Sequence, residues 1–144
     1  MRVLAVDPGP HIGVASWTDN DPRESEGTEW FSAWEWTPEQ FYAEVKAWVM
    51  ASDVVVCEDF RISGPRAKEG NTTIEMIGAL RYLTTAHKVK FVLQDPGAYK
   101  FAGYDKLKRL GWYTKGSDHA RSASGHLVKY LAGAGLIDLQ RLLP

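Results

Sequence analysis

Apolar positions in this chain fall first into short unbroken runs and only later into helical spacing. Arg2-Val3-Leu4-Ala5-Val6 is apolar and partly β-branched and ends on Asp7; Pro8-Gly9-Pro10 then separates it from a second run, Ile12 to Trp17. Apolar runs bounded by turn residues predict buried strands, and the Pro/Gly turn returns the second run antiparallel to the first. Asp19 to Gly27 is a polar turn, and Thr28 to Trp36 alternates enough for a third strand, with Trp30, Ala33 or Trp34, and Trp36 as packing residues. In Thr37-Pro38-Glu39-Gln40 the threonine is an N-cap, the proline takes the first helical position and the glutamine closes a capping box. The helix it opens is expected to reach about Met50, burying Phe41, Val45, Trp48 and Val49. Val54-Val55-Val56-Cys57 is a fourth strand, ending on Glu58 and Asp59.

Arg61 to Gly70 is a basic loop containing glycine and proline, and Thr72 with Glu75 predicts a second capping box, opening a helix through Ile77, Leu80, Leu83 and Ala86. Lys90-Phe91-Val92-Leu93 is a fifth strand. Pro96 starts a short helical stretch that stops near Gly103, Tyr104 to Leu110 is another, and a last helix runs from about Asp118 to Ala132, with Ala123, Leu127, Tyr130 and Leu131 facing in. The order is β-β-β-α-β-α-β-α. Three antiparallel strands followed by right-handed βαβ crossovers predict an α/β fold, a five-stranded mixed sheet flanked by helices in the ribonuclease H-like arrangement. Asp7 and Glu58 then lie on adjacent central strands, and the start of the last helix can cross their ends.

The 144 residues fit one domain, 1–144, with room for a real core. No apolar run approaches the ~20 residues that span a bilayer. The first residues run straight into a strand without a signal segment, so a cytoplasmic setting without a membrane is expected, in a bacterial cell or a phage-infected host. The single cysteine, Cys57, excludes an internal disulfide and a cysteine-based zinc site and reads as packing. A net charge of −1 conceals an asymmetry: residues 1–59 carry three basic residues against twelve acids, and residues 60–144 carry fourteen against six. The split hints at a face for a polyanion, or at two halves that interleave on folding.

Two buried strands that both end in carboxylates point to a cation site, because a buried charge is costly unless compensated. Ser117-Asp118-His119-Ala120-Arg121-Ser122-Ala123, at the last helix's start, brings a third carboxylate and an imidazole toward them. Carboxylate oxygens with water and phosphate oxygens suit Mg²⁺ or Mn²⁺, and two such ions can flank a scissile phosphate. Asp118 also reads as a helix-start acid favoured by the helix dipole, and His119 as a polar surface residue. Asp59 should point to the opposite sheet face from Glu58; Phe60 and Trp112-Tyr113 read as packing; His11 and His87 have no evident partner.

These motifs together resemble the RuvC family of Holliday junction resolvases, especially its short bacteriophage forms, over nearly the whole chain. Val6-Asp7-Pro8-Gly9 is similar to the family's first-strand motif and Cys57-Glu58 to its central glutamate strand. Pro96-Gly97-Ala98-Tyr99-Lys100, followed by Gly103 and Lys106, is similar to its Pro-x-x-x-Lys segment. His119-Ala120-Arg121-Ser122-Ala123, with His126 further on, resembles its closing helix. The resemblance implies a metal-dependent endonuclease that cuts four-way junctions or other branched DNA, using two Mg²⁺ or Mn²⁺ ions and no small-molecule cofactor. It makes Asp7, Glu58, Asp118 and His119 catalytic metal ligands and Lys106 a catalytic cation. Arg61, Arg66, Lys68, Lys100, Lys106, Lys108, Arg109, Lys115 and Arg121 become DNA contacts. It also implies a homodimer paired through the helix near Thr72, since resolution needs two symmetric cuts. One departure stands out: the family's last metal-binding aspartate falls on Ser122, so Ser122 enters the metal set as a weak ligand and Asp118 or His119 must replace the acid. Three rivals follow. A junction binder that no longer cuts would account for Ser122; an actin-like ATPase fragment would account for Asp7-x-Gly9-x-x-x-Gly13; a ribonuclease H proper would share the fold and the metals.

Overall fold

The computed structural model describes residues 1–20, 29–60 and 70–144. Five strands, β1 (Arg2–Asp7), β2 (Ile12–Thr18), β3 (Trp30–Trp36), β4 (Val54–Glu58) and β5 (Lys90–Gln94), form one sheet in the order β3-β2-β1-β4-β5. Strands β1, β2 and β3 are antiparallel neighbours, whereas β4 pairs parallel with both β1 and β5. Val6 lies opposite Cys57, so the next residue on each strand, Asp7 and Glu58, emerges at the same end of the sheet.

Alternation along the central strands assigns each side chain a layer. Leu4, Val6, Val55 and Cys57 pack against α1 (Pro38–Met50) and α2 (Gly70–Ala86), through Phe41, Val45, Val49, Met76, Ile77 and Leu80. Val3, Ala5, Val54 and Val56 pack on the other face against α3 (Tyr104–Leu110) and α4 (Asp118–Gly133), through Leu107, Leu110, Ala123, Leu127, Val128 and Leu131. Burial on both faces explains why these strands read as continuous apolar runs. Asp7 and Glu58 continue the second parity, so both carboxylates face α4. Asp59 has the other parity; its carboxylate accepts from the Phe60 N–H at 2.9 Å.

Helix α4 sits on the sheet at backbone contact. A β-carbon on Gly125 would lie 2.4 Å from the Tyr99 carbonyl oxygen, so only glycine allows α4 to rest on the 3-10 segment Pro96–Ala102. The Thr37/Gln40 capping box forms as expected, with Gln40 N donating to Thr37 Oγ1 at 3.2 Å and Thr37 N to Gln40 Oε1 at 2.9 Å.

Three expectations need correction. Helix α2 is already formed at Gly70, so Thr72 lies inside its first turn and cannot act as the extended cap of a Thr72/Glu75 box. Strand β5 continues one residue beyond Leu93 to Gln94, because Gln94 pairs in register with Glu58. A further 3-10 segment, Leu139–Leu142, was not expected; Asp138 caps it at the Gln140 N–H and Leu142 is buried against the α3–α4 layer. The start of the third strand at Thr28 lies outside the described residues. Trp112 is core as expected, its ring stacked on Phe31 at 4.8 Å, and among the described residues no helix is long and apolar enough to cross a membrane.

Candidate active site

Asp7, Glu58, Lys100, Asp118, His119, Arg121 and Ser122 line a single cleft of about 630 Å³ at the carboxyl ends of β1 and β4. Asp7 is its most perturbed group. Its side chain is only 14% exposed, and burial together with the neighbouring Glu58 carboxylate pushes its pKa up to about 7. The two carboxylates face each other across adjacent strands, and Glu58 disfavours a charge on Asp7 beyond what burial alone does. The Ser122 hydroxyl donates to Asp7, and the His119 ring lies nearby with Nδ1 3.9 Å from Asp7 Oδ2; both favour the ionised form without overcoming burial. His119 is itself stacked on His11, centroid to centroid 5.5 Å, so His11 has a partner that the sequence did not reveal.

Glu58 has a second partner, and it lies outside the expected site. His126, one helical turn after Ser122, is fully buried, with Nε2 2.7 Å from Glu58 Oε2 and Nδ1 2.8 Å from Gln94 Oε1. The spacing 122/126 places both residues on one face of α4; this and the resemblance of the closing helix, which includes His126, are the sequence signals that pointed toward it.

Asp118 lines the same cleft but is engaged elsewhere. Its carboxylate is 80% exposed and ion-paired to Arg121, which holds its pKa below the usual carboxylate range, and Tyr104 donates to it at 3.4 Å. Arg121 in turn donates to the Thr114 carbonyl at 2.7 Å and sits against the paired rings of Tyr104 and Tyr113, at 5.1 and 5.4 Å. The expected DNA contact at Arg121 is therefore a guanidinium already occupied within the fold. Among the described residues no cluster of three or more His, Cys, Asp or Glu side chains stands close enough together to hold a metal ion.

The remaining basic residues divide by position. Lys100 borders both the acid cleft and an adjoining groove of about 500 Å³ that also contains Lys106 and Arg109. Lys106 donates to the Phe101 carbonyl at 2.8 Å and sits over the Phe101 ring, facing this groove rather than the acid pair. Arg109 donates to the Leu142 carbonyl at 3.2 Å. Lys108 covers the Tyr113 ring at 5.0 Å, and Lys115 is exposed. Arg61, Arg66 and Lys68 lie outside the described residues. Cys57 is buried with its thiol pushed well above the ordinary range by burial, as expected for packing.

No family model matches this chain, and neither does any curated protein. Its fold does match solved structures. Thermus thermophilus RuvC in complex with a Holliday junction substrate superposes with a TM-score of 0.66 at 14% identity, covering 94% of this chain and 96% of that one. A second Thermus thermophilus RuvC structure gives 0.63 at 15% identity, covering 94% and 97%. The chain thus has the ribonuclease H-like fold expected from its element order, in the RuvC-like form that its motifs resemble.

Proposed function

We propose that this protein is a metal-dependent endonuclease acting on branched DNA, four-way junctions above all. The observation that carries the reading is the Asp7–Glu58 pair: two carboxylates on adjacent parallel strand ends, buried enough that Asp7 rises to about 7. Such a pair is costly in a folded protein unless a cation neutralises it. Its oxygens suit a hard divalent ion, so the donor set fits Mg²⁺ or Mn²⁺. Asp7 and Glu58 would hold the ion. Ser122 and His119 are the groups available for a second, weaker position, while Asp118 is tied to Arg121. A bound ion would supply Lewis-acid activation of water and neutralise charge at the phosphate.

The chain's own residues supply the rest. Ser122 orients the Asp7 carboxylate by hydrogen bonding. Lys100, at the border of the cleft and the groove, places a cation where charge develops on the transferred phosphate. The groove through Lys106 and Arg109 continues the positive surface along a strand, and phosphate contacts of this kind position DNA without reading its sequence. A cytoplasmic setting follows from the same reading.

We further propose a C₂ homodimer, because a four-way junction needs two symmetric cuts and each chain carries one cleft. The outer face of α2 is the candidate contact: Tyr82 and Ile74 are exposed there, beside a shallow groove of Gly78, Arg81, Thr85 and Ala86. Sedimentation on a junction tests this; a monomer at micromolar concentration overturns it.

One observation favours a second reading, junction binding without cleavage: among the described residues no three acids, histidines or cysteines stand close enough together to hold a metal ion. A gel assay of four-way, flap, linear and RNA–DNA hybrid substrates with Mg²⁺, Mn²⁺ or EDTA decides between them. Metal-dependent nicking of the four-way junction supports the endonuclease; tight binding with no cleavage in either metal supports the alternative.

A further inference from the structure

His126 is the largest buried polar side chain of α4, and both of its ring nitrogens are within hydrogen-bonding distance of other side chains. A buried imidazole requires such partners, and here they are fixed from two sides. Gln94 Nε2 donates to the backbone carbonyl of His126 itself at 3.2 Å, which orients the amide and leaves Gln94 Oε1 as the acceptor for the ring. Nδ1 therefore donates to Gln94, and Nε2 is directed at Glu58 Oε2. Glu58 and Gln94 are register partners on β4 and β5, so both ends of the bridge stand on the same rigid pair of strands. The ring is held from above by α4, which Gly125 seats directly on the Tyr99 backbone.

We infer that His126 is a positioning residue: with Gln94 behind it, it fixes the Glu58 carboxylate in one orientation and occupies Oε2, leaving Oε1 as the oxygen that meets a divalent cation. The inference rests on the metal-site reading given above. Its consequence is preorganisation. Without the bridge Glu58 can rotate, offer both oxygens or turn away, and a ligand that must be ordered on binding binds less well. Partners that hydrogen-bond to metal-ligating carboxylates typically contribute 10–100-fold in metal affinity.

The test is Mn²⁺ binding to the full-length protein by titration calorimetry, with the spin-resonance line width of bound Mn²⁺ as a second readout and thermal melting as the folding control. Wild type should bind and Glu58→Gln should not. His126→Ala and Gln94→Met should each bind about 10- to 100-fold more weakly, with a broadened Mn²⁺ signal. His126→Gln, which keeps an amide donor near Glu58, should recover much of the loss. Should His126→Ala fail to fold, the half-buried Gln94 provides the decisive variant, since Gln94→Met removes the acceptor for the ring and keeps the side-chain volume. Unchanged affinity, within twofold, in the folded variants while wild type binds normally overturns this inference alone. Absence of Mn²⁺ binding by wild type overturns the metal-site reading and the inference with it.

Discussion

A β-carbon on Gly13 would lie 1.9 Å from the His119 carbonyl oxygen and 2.4 Å from its carbonyl carbon. Strand β2 and the first turn of α4 thus touch backbone to backbone, and this contact sets how closely His119 and Ser122 approach Asp7. Gly13→Ala should push that turn away, lower stability by about 1–3 kcal/mol and reduce cleavage at least tenfold. Gly133→Ala, where an added carbon meets nothing within 4 Å, is the control and should leave both unchanged. Melting curves and single-turnover rates measure the two effects.

Asp7→Asn and Glu58→Gln should each lower cleavage by on the order of 10²–10³-fold or more, with junction affinity unchanged or tighter, because they remove charge that would hold a cation rather than contacts to DNA. Near wild-type cutting by either variant in a gel assay would sink the assignment of the acid pair.

The raised pKa of Asp7 fixes the sign of a pH effect. In the metal-free protein the folded state keeps a proton to about pH 7 that the unfolded chain, at the ordinary 3.8, has already lost. The contribution of Asp7 to stability is then fully present below about pH 4 and is lost as pH rises toward 7. Asp7→Asn should be more stable than wild type at pH 8 in EDTA, by on the order of 4 kcal/mol, and the difference should vanish near pH 4. Denaturant melts at the two pH values check it. Cleavage should move the other way, rising toward pH 7–8 as Asp7 ionises.

The start of α4 separates three residues that the sequence grouped together. Asp118→Asn should change cleavage less than about threefold, since its carboxylate serves Arg121 and Tyr104. His119→Ala should cost about tenfold, so a double variant with Asp118→Asn should lose little more than His119→Ala alone. Ser122→Asp replaces a hydroxyl that donates to Asp7 with a third negative charge. It should destabilise the metal-free protein yet raise Mg²⁺-supported activity. Wild type should prefer Mn²⁺, because an imidazole serves a hard, oxygen-seeking ion poorly. Parallel Mg²⁺ and Mn²⁺ titrations of cleavage test all three.

The sheet was legible because each central strand is an unbroken apolar run with a polar stop, and parity then assigns Asp7 and Glu58 to one face. What stayed hidden was long-range or committed. His126 meets Glu58 across 68 residues and Gln94 across 32, and its spacing from Ser122 gives the helix face but not these partners. Ending the fifth strand at Leu93 also removed Gln94 from view, since a glutamine reads as the first polar residue of a turn. The engagement of Asp118 was readable in principle: Asp118 and Arg121 are three apart on a helix, a spacing at which opposite charges pair. The capping box at Thr72 failed for another reason: a local motif marks a helix start only where the preceding chain is not already helical.

Gly125 joins the segment bearing Lys100 to the helix bearing Ser122 and His126 by direct main-chain contact. These two walls of the cleft are therefore packed main chain against main chain. A wall so seated leaves little room to close around a stiff duplex, so in the proposed reaction the bending falls to the nucleic acid. Unstacked, branched DNA yields at little cost where a continuous helix resists. Selectivity for branch points would then be mechanical, set by what the substrate can bend to fit rather than by any base the protein reads.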